Sequence, residues 1–168
     1  LLLIRLAFLN IVIFNYLIGN ADAHGKNFSF LHEKEKPRLA PVYDLLCIAV
    51  YPDLSTKLAV RIAGKYLPDQ VFLRHWHRLV ADTAGAKRAM EKTLADMAKK
   101  TTDQAHTWLA ELPESGVKSE MFDAILGVIR TRSGSLLKGD QELLCIRNPH
   151  AMFRTAGFVA DETDADTG

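Results

Sequence analysis

Five polar side chains crowd one short loop of this sequence, and their types suit phosphate and metal chemistry. Residues 20–27 read NADAHGKN, which gives one carboxylate, one imidazole, one ammonium and two carboxamides. A second carboxylate, Asp44, follows the next stretch of chain. Magnesium accepts carboxylate and carboxamide oxygens, with phosphate and water completing its coordination shell. Asp22, Asn27 and Asp44 are therefore candidate ligands of a shared divalent cation, provided that the fold brings them together.

A predicted β-hairpin would bring these residues to one place. Two short β-like runs, residues 28–31 and 38–42, flank a charged turn that ends in a proline. Asn27 precedes the first run and Asp44 follows the second, so both belong to the same end of the hairpin. Antiparallel partners stand about 5 Å apart. Asp22 lies in the loop that enters this end.

An apolar run precedes the loop and predicts a helix over residues 2–17, buried on nearly all sides. Gly19 and Asn20 would end it, because both tolerate left-handed backbone. Three polar residues argue against a membrane span, since polar groups are costly at bilayer depth: Arg5, Asn10 and Asn15. We expect Asn15 and Asn20 to hydrogen-bond the loop rather than to contact a substrate.

The remainder predicts a helical scaffold, so the fold class is mostly α (α+β). Residues 44–51 predict a short helix that Asp44 would cap, and residues 57–66 are β-like or irregular. Three further helices are predicted: residues 69–83, 86–112 and 118–137. Core spacing is predicted for Met90, Leu94 and Met97 on the second of these helices. Trp76 and Trp108 are predicted to pack in the core or on the surface of the lobe.

Bulk properties fit one cytoplasmic domain without a membrane segment. The chain has 168 residues and a net charge of +1, from 21 basic and 20 acidic residues, which disfavours direct binding of nucleic acid. Cys47 and Cys145 fit no zinc spacing and are predicted to be reduced, buried thiols. Residues 1–140 are predicted to form the domain. Residues 141–168 are predicted to form a loop and then a disordered acidic tail.

The order of these residues resembles that of protein kinases, in which Asp, four residues and Asn precede a hairpin and a second Asp. The segments FNYLIGNADAHGKNFSFL (residues 14–31) and LAPVYDLL (residues 39–46) are similar to the signature of HipA-type serine/threonine kinases. These are the toxin kinases of bacterial toxin–antitoxin pairs. The segment KLAVRIAGKY (residues 57–66) also resembles that family.

The resemblance implies a protein-kinase-like C-terminal lobe, a helical bundle whose short β-hairpin carries the catalytic loop. Asp22 would be the catalytic base, and Asn27 and Asp44 would hold Mg²⁺, although YDLL stands where many kinases have DFG. The implied cofactors are ATP and Mg²⁺. Five residues would line the nucleotide: His24, Lys26, Asn27, Tyr43 and Asp44.

A kinase also needs a Gly-rich loop over the phosphates and a strand lysine paired with a helical glutamate. This sequence shows neither, so we expect a missing N-terminal lobe on the same or a separate chain, and little or no activity of the chain alone. By resemblance, further partners would be a helix-turn-helix antitoxin and a protein substrate such as an aminoacyl-tRNA synthetase. Contact with DNA would be indirect.

Two other functions remain open. An aminoglycoside- or choline-type phosphotransferase lobe could use the same metal ligands. It would need an acidic acceptor loop, however, and residues 51–65 contain no acidic cluster. The chain could instead be a non-catalytic module that binds a partner within a toxin–antitoxin complex.

Overall fold

A computed structural model describes residues 2–32, 37–112 and 119–137. It is mostly helical with one two-stranded antiparallel hairpin, as predicted. The helices are α1 (Leu2–Ile18), α2 (Leu73–His77), α3 (Ala84–Glu111) and α4 (Met121–Leu137). The strands are β1 (Phe30–His32) and β2 (Pro37–Leu39), and 3₁₀ turns cover Gly25–Asn27, Ile48–Val50 and Pro68–Gln70. Within the described ranges no helix is both long and apolar enough to cross a membrane.

The core lies where the second half of α1 meets α2 and α3. Trp76 and Ile13 are completely buried there, and the ring of Trp76 meets the Tyr16 ring edge-on at a centroid distance of 5.5 Å. Met90 and Leu94 of α3 are buried beside them, and Met97 is partly buried. The predicted core spacing on α3 and the packing role of Trp76 are thus confirmed.

The two halves of α1 differ in burial, and the prediction of a helix buried on nearly all sides is wrong for its first half. Leu2 is 69% exposed and Leu3 81% exposed, whereas Ile13 and Leu17 are at 0%. The apolar composition is continuous along the helix, but its buried residues all lie between Val12 and Leu17. Composition could predict the helix and not the neighbours that cover it.

Helix α4 joins the scaffold to the loop region. It packs along α3, with the Thr102 and Ser133 hydroxyls 3.1 Å apart, and it also packs against α1 and the Ile48–Val50 turn. Thr83 starts α3, since its Oγ1 accepts a hydrogen bond from the Ala86 amide at 3.2 Å. One long helical pair therefore supports the segment between Gly19 and Val50.

Two predicted helices are much shorter than expected. In place of a helix over residues 44–51 there is only the Ile48–Val50 turn, whose N-cap is Cys47. The backbone of Asp44 is left-handed, with φ of 57°, so Asp44 cannot cap that turn.

The predicted helix over residues 69–83 is broken at Phe72, which is extended. The break lets Val71 and Trp76 both reach the core, whereas residues five apart on a continuous helix point in different directions. The His75 ring stabilises the restart, because its Nδ1 accepts from the Phe72 amide at 2.9 Å.

Residues 57–66 are irregular rather than a strand. They hold one isolated bridge, between Ile62 and Lys65, closed by a turn in which Ala63 and Gly64 have positive φ. The predicted tail, residues 141–168, and Cys145 lie outside the described residues, as do residues 33–36 of the predicted charged turn.

Candidate active site

The loop begins where α1 stops at a crowded glycine. Gly19 has φ of 76°, and its carbonyl accepts from the Ala49 amide at 3.1 Å. A Cβ at this position would lie 2.7 Å from Cγ1 of Val128 and 2.9 Å from Cβ of Ala49, closer than side-chain contacts allow. Only glycine satisfies both the conformation and the space, so α1 can turn into the loop directly beneath α4.

Asn27 and Asp44 meet at the end of the hairpin, as predicted. The Asn27 amide Nδ2 donates to Asp44 Oδ2 at 2.5 Å, across 17 residues of sequence. Asn27 is buried, and its Oδ1 has no hydrogen-bond partner. Buried amide oxygens in proteins are nearly always satisfied, so this oxygen beside a carboxylate is a candidate ligand atom.

The backbone of Asp44 is itself unusual. Its φ of 57° lies in the left-handed region, which non-glycine residues seldom adopt and Asp tolerates better than most. Such conformations cost about 1–3 kcal/mol and cluster at functional sites. The strained backbone turns the chain sharply after the hairpin, at the residue whose carboxylate meets Asn27.

Asn20 joins Asp44 to the loop that carries Asp22. Its Nδ2 donates to the Asp44 carbonyl at 3.0 Å and to Asn15 Oδ1 at 2.8 Å. Its Oδ1 accepts from the Asp22 amide at 3.2 Å. The expectation that Asn15 and Asn20 hydrogen-bond the loop is confirmed, and Asp22 and Asp44 are linked through a single side chain.

The hydroxyl of Tyr43 fixes the other side of the loop. It donates to the Lys26 carbonyl at 2.6 Å and lies 3.2 Å from the Ser29 hydroxyl. Tyr43 is still 47% exposed, so its ring is open to solvent beside the Asn27–Asp44 pair. The ring can therefore face a ligand while the hydroxyl anchors the chain.

Asp22, His24 and the Lys26 side chain are exposed at the surface of the loop. The carbonyl of His24 accepts from the Asn27 amide at 2.9 Å, which orients the start of the Gly25–Asn27 turn. These side chains are free to meet a ligand from solvent, in contrast to the buried Asn27.

The segment after the hairpin returns to the loop. The Ala59 amide donates to the Ala21 carbonyl at 3.0 Å, one residue before Asp22. Nearby, Lys57 and Arg61 each lie 5.8 Å from the centre of the exposed Tyr66 ring. A basic, aromatic surface thus adjoins the loop.

Burial changes the pKa values of Cys47 and Arg132, which lie beneath the loop. It raises the pKa of the Cys47 thiol, and it lowers the pKa of the Arg132 guanidinium, which lies 5.0 Å from the Tyr16 ring centre. Arg132 also donates to the Tyr16 carbonyl at 3.4 Å. Its role is structural, because it braces α4 against the last turns of α1.

The donor set at Asn27 and Asp44 fits magnesium. Both residues offer hard oxygens, and magnesium usually takes only one or two protein carboxylates, with phosphate and water completing the shell. Among the described residues no cluster of three or more His, Cys, Asp or Glu could hold a metal.

Sequence reasoning missed two contributors to this site. Ser29 touches the Tyr43 hydroxyl, and no pattern in the sequence indicated it. Gly19 was expected only to end a helix, whereas it also makes room for α4. Its place between an apolar run and a polar loop carries no information about Val128, which is distant in sequence.

Comparison with known proteins identifies the family of this chain. Residues 4–105 match the model of the HipA-like C-terminal domain. The chain belongs to the HipA-like C-terminal domain family. In this HipA-like domain the match covers α1, the loop, the hairpin and most of α3, which are the elements that build the site.

Several relatives of this HipA-like domain carry kinase names. A Sinorhizobium fredii protein named Putative kinase Y4mE is 36% identical over 98 residues, 58% of this chain and 23% of the relative. The serine/threonine-protein kinase toxin HipA of Shewanella oneidensis is 40% identical over 60 residues, 36% of this chain and 14% of that protein.

The solved structure of Shewanella oneidensis HipA in complex with HipB and operator DNA has a similar fold. It matches with a TM-score of 0.60 and 27% identity, over 77% of this chain and 29% of that one. The HipA-like domain therefore spans less than a third of these relatives, and it corresponds to their C-terminal region.

Proposed function

We propose that this HipA-like domain is the catalytic C-terminal lobe of a protein serine/threonine kinase. The kinase would transfer the ATP γ-phosphoryl group to a serine hydroxyl of a protein target. The observation that carries the proposal is the buried, unpartnered Oδ1 of Asn27 beside the carboxylate of Asp44. The kinase names of the relatives support the same reaction class.

Each proposed catalytic role follows from the chemistry of the residue. Asp22 is exposed, so its carboxylate can accept the proton of an incoming serine hydroxyl and orient the oxygen for attack. Asn27 and Asp44 would hold Mg²⁺ through Oδ1 and the carboxylate. When bound, the metal neutralises charge on the ATP phosphates.

Three further residues complete the proposed nucleotide site. His24 and Lys26 are exposed on the loop, where an imidazole and an ammonium can contact phosphate oxygens. Tyr43 presents its exposed ring beside them and keeps the Lys26 carbonyl fixed through its hydroxyl.

The complete enzyme needs more than the described residues supply. We propose that an N-terminal lobe, on this or another chain, provides the phosphate-covering loop and the adenine grip, and that this chain alone transfers little phosphate. By analogy with the HipA–HipB–DNA complex, the partners would include a helix-turn-helix antitoxin, with DNA bound indirectly, in the cytoplasm. An aminoacyl-tRNA synthetase is a candidate protein substrate.

The test fuses this chain to the region that precedes the match in Shewanella HipA, which would supply the N-terminal lobe. The fusion is made with the wild-type sequence and with Asp22→Asn. We expect phosphotransfer from labelled ATP to serine in the fusion and almost none in the chain alone. Asp22→Asn should slow it by about 10²- to 10⁴-fold, the usual contribution of a general base. A rate near that of the wild type would remove Asp22 from the mechanism.

A second candidate function is a non-catalytic module that binds a partner. The exposed leucines of the first half of α1 favour it, because large exposed apolar side chains in a group mark interaction surfaces. Size-exclusion chromatography with and without a HipB-type antitoxin separates the candidates. A stable complex together with an inactive fusion would favour the binding module.

The small-molecule phosphotransferase is disfavoured, since residues 51–65 offer no acidic cluster for a cationic acceptor.

A further inference from the structure

Asn20 is buried to 3% exposure, and its carboxamide is fully used. It donates two hydrogen bonds, to the Asn15 side chain and the Asp44 carbonyl, and it accepts one from the Asp22 amide. A carboxamide offers two donor hydrogens and one acceptor oxygen. Every part of the group is therefore engaged, and each bond reaches a different segment: α1, the loop, and the chain after the hairpin.

Asp44 is held at both of its ends. Its carbonyl accepts from Asn20 and its carboxylate accepts from Asn27, at 3.0 Å and 2.5 Å. Between these contacts the backbone keeps a φ of 57°. A strained conformation persists only where its surroundings over-determine it. The hydrogen bond from the Asn20 side chain supplies one of these constraints, across 24 residues of sequence.

We propose that Asn20 is a positioning residue: it locks Asp44 in the left-handed conformation and ties it to the Asp22 loop, so that Asn27 and Asp44 stay paired before any ligand arrives. Its importance for phosphotransfer rests on the proposed function, but the pairing itself does not. Preorganised pairs of this kind avoid reorganisation when a ligand binds.

No other side chain of this size meets the same demands. Aspartate keeps an acceptor for the Asp22 amide but has no donor for the Asp44 carbonyl or for Asn15. Alanine loses all three bonds. The two substitutions therefore separate the roles: Asn20→Asp releases Asp44 and Asn15 but keeps the bond from the Asp22 amide, whereas Asn20→Ala releases all three.

The first readout needs no metal and no activity. In NMR spectra of the full chain, the Asn27 side-chain amide proton that bonds Asp44 should be strongly downfield. We expect it to move towards an ordinary amide position in Asn20→Asp and Asn20→Ala. The Asp22 backbone amide should stay protected from exchange in Asn20→Asp and lose protection in Asn20→Ala.

The control is Leu94→Ala, which opens a cavity in the apolar core beside α3 and removes none of the loop's hydrogen bonds. It should destabilise the chain while leaving the Asn27 signal unchanged. If the Asn27 signal also stays unchanged in both folded Asn20 variants, Asn20 does not position the pair and the proposal is overturned. Asn20→Asp, which is isosteric, keeps the test valid if Asn20→Ala fails to fold.

The second readout is Mn²⁺ affinity by electron paramagnetic resonance. Supporting residues around metal ligands usually contribute 10- to 100-fold in affinity, so we expect a weakening of about that size in both Asn20 variants and none in Leu94→Ala. If the wild type binds no Mn²⁺ even with ATP present while the NMR changes occur as expected, the proposed metal site fails and the positioning role stands. If Mn²⁺ binds equally well to all variants, the positioning role fails and the metal site stands.

Discussion

The loop region and the α3–α4 pair of this HipA-like domain keep their shapes in different ways. Around the loop, the described residues between 19 and 66 contain little regular structure, and side-chain hydrogen bonds from Asn20 and Tyr43 fix the backbone. Along α3, buried apolar side chains such as Met90 and Leu94 provide the contacts. The difference suggests that the fold can lose stability without losing the site, and that the site can lose its geometry without loss of the fold.

The largest effect is expected from Trp76→Ala, which removes a completely buried ring. Truncating a buried aromatic side chain costs about 3–5 kcal/mol, a large share of the stability of a single domain. Chemical denaturation should show this loss. Below the transition, Mn²⁺ affinity should match the wild type. A parallel loss of metal affinity in the folded protein would show that the site depends on the helical core.

Gly19→Ala should cause the next largest loss of stability, because Gly19 lies where the loop region meets α4. Left-handed backbone costs a non-glycine residue about 1–2 kcal/mol, and overpacking commonly adds about 1–3 kcal/mol. The double variant with Val128→Ala relieves the closest clash, at Cγ1 of Val128. Denaturation midpoints should recover in part. A double variant no more stable than Gly19→Ala would exclude crowding by α4 as the cause.

Tyr43→Phe should affect the loop alone. It removes the hydroxyl that donates to the Lys26 carbonyl, a bond worth about 1 kcal/mol at most in this half-exposed setting. We expect faster hydrogen exchange at the Asn27 amide and unchanged exchange along α3. Uniform acceleration in both regions would mean that the hydroxyl supports the whole fold.

The smallest effect is expected at the surface of α3. Lys99 pairs with Asp103 at 2.6 Å, and this bond raises the pKa of the lysine. A raised pKa means that any stabilisation is present below the ordinary lysine pKa and fades as pH rises through the raised value. Both side chains are solvated, so Lys99→Ala should leave the thermal midpoint unchanged at pH 7. A clear drop at low salt would contradict this.

Much of the site could be predicted because its residues are close in sequence. Asp22 and Asn27 share one loop, and a single hairpin brings Asp44 to Asn27, so local turn and strand patterns were enough. The predicted helix over residues 86–112 has nearly the same bounds as α3 (Ala84–Glu111), since amphipathic spacing defines it.

The errors have a common cause in tertiary packing. Asp is compatible with a helix cap and with left-handed backbone, and only the contacts with Asn20 and Asn27 select the second at Asp44. The break at Phe72 arises because Val71 and Trp76 share one core. The exposure of Leu2 and Leu3 depends on which elements lie beside α1, which local sequence does not encode.

The most direct test of the account is a Mn²⁺ titration of the wild-type chain, Asn27→Leu and Asp44→Asn, followed by electron paramagnetic resonance with and without ATP. Asn27→Leu removes the orphaned Oδ1 and Asp44→Asn removes the charge, so each should weaken metal binding at least about tenfold. ATP should strengthen binding only in the wild type. Equal Mn²⁺ affinity in all three proteins would contradict a metal site at Asn27 and Asp44.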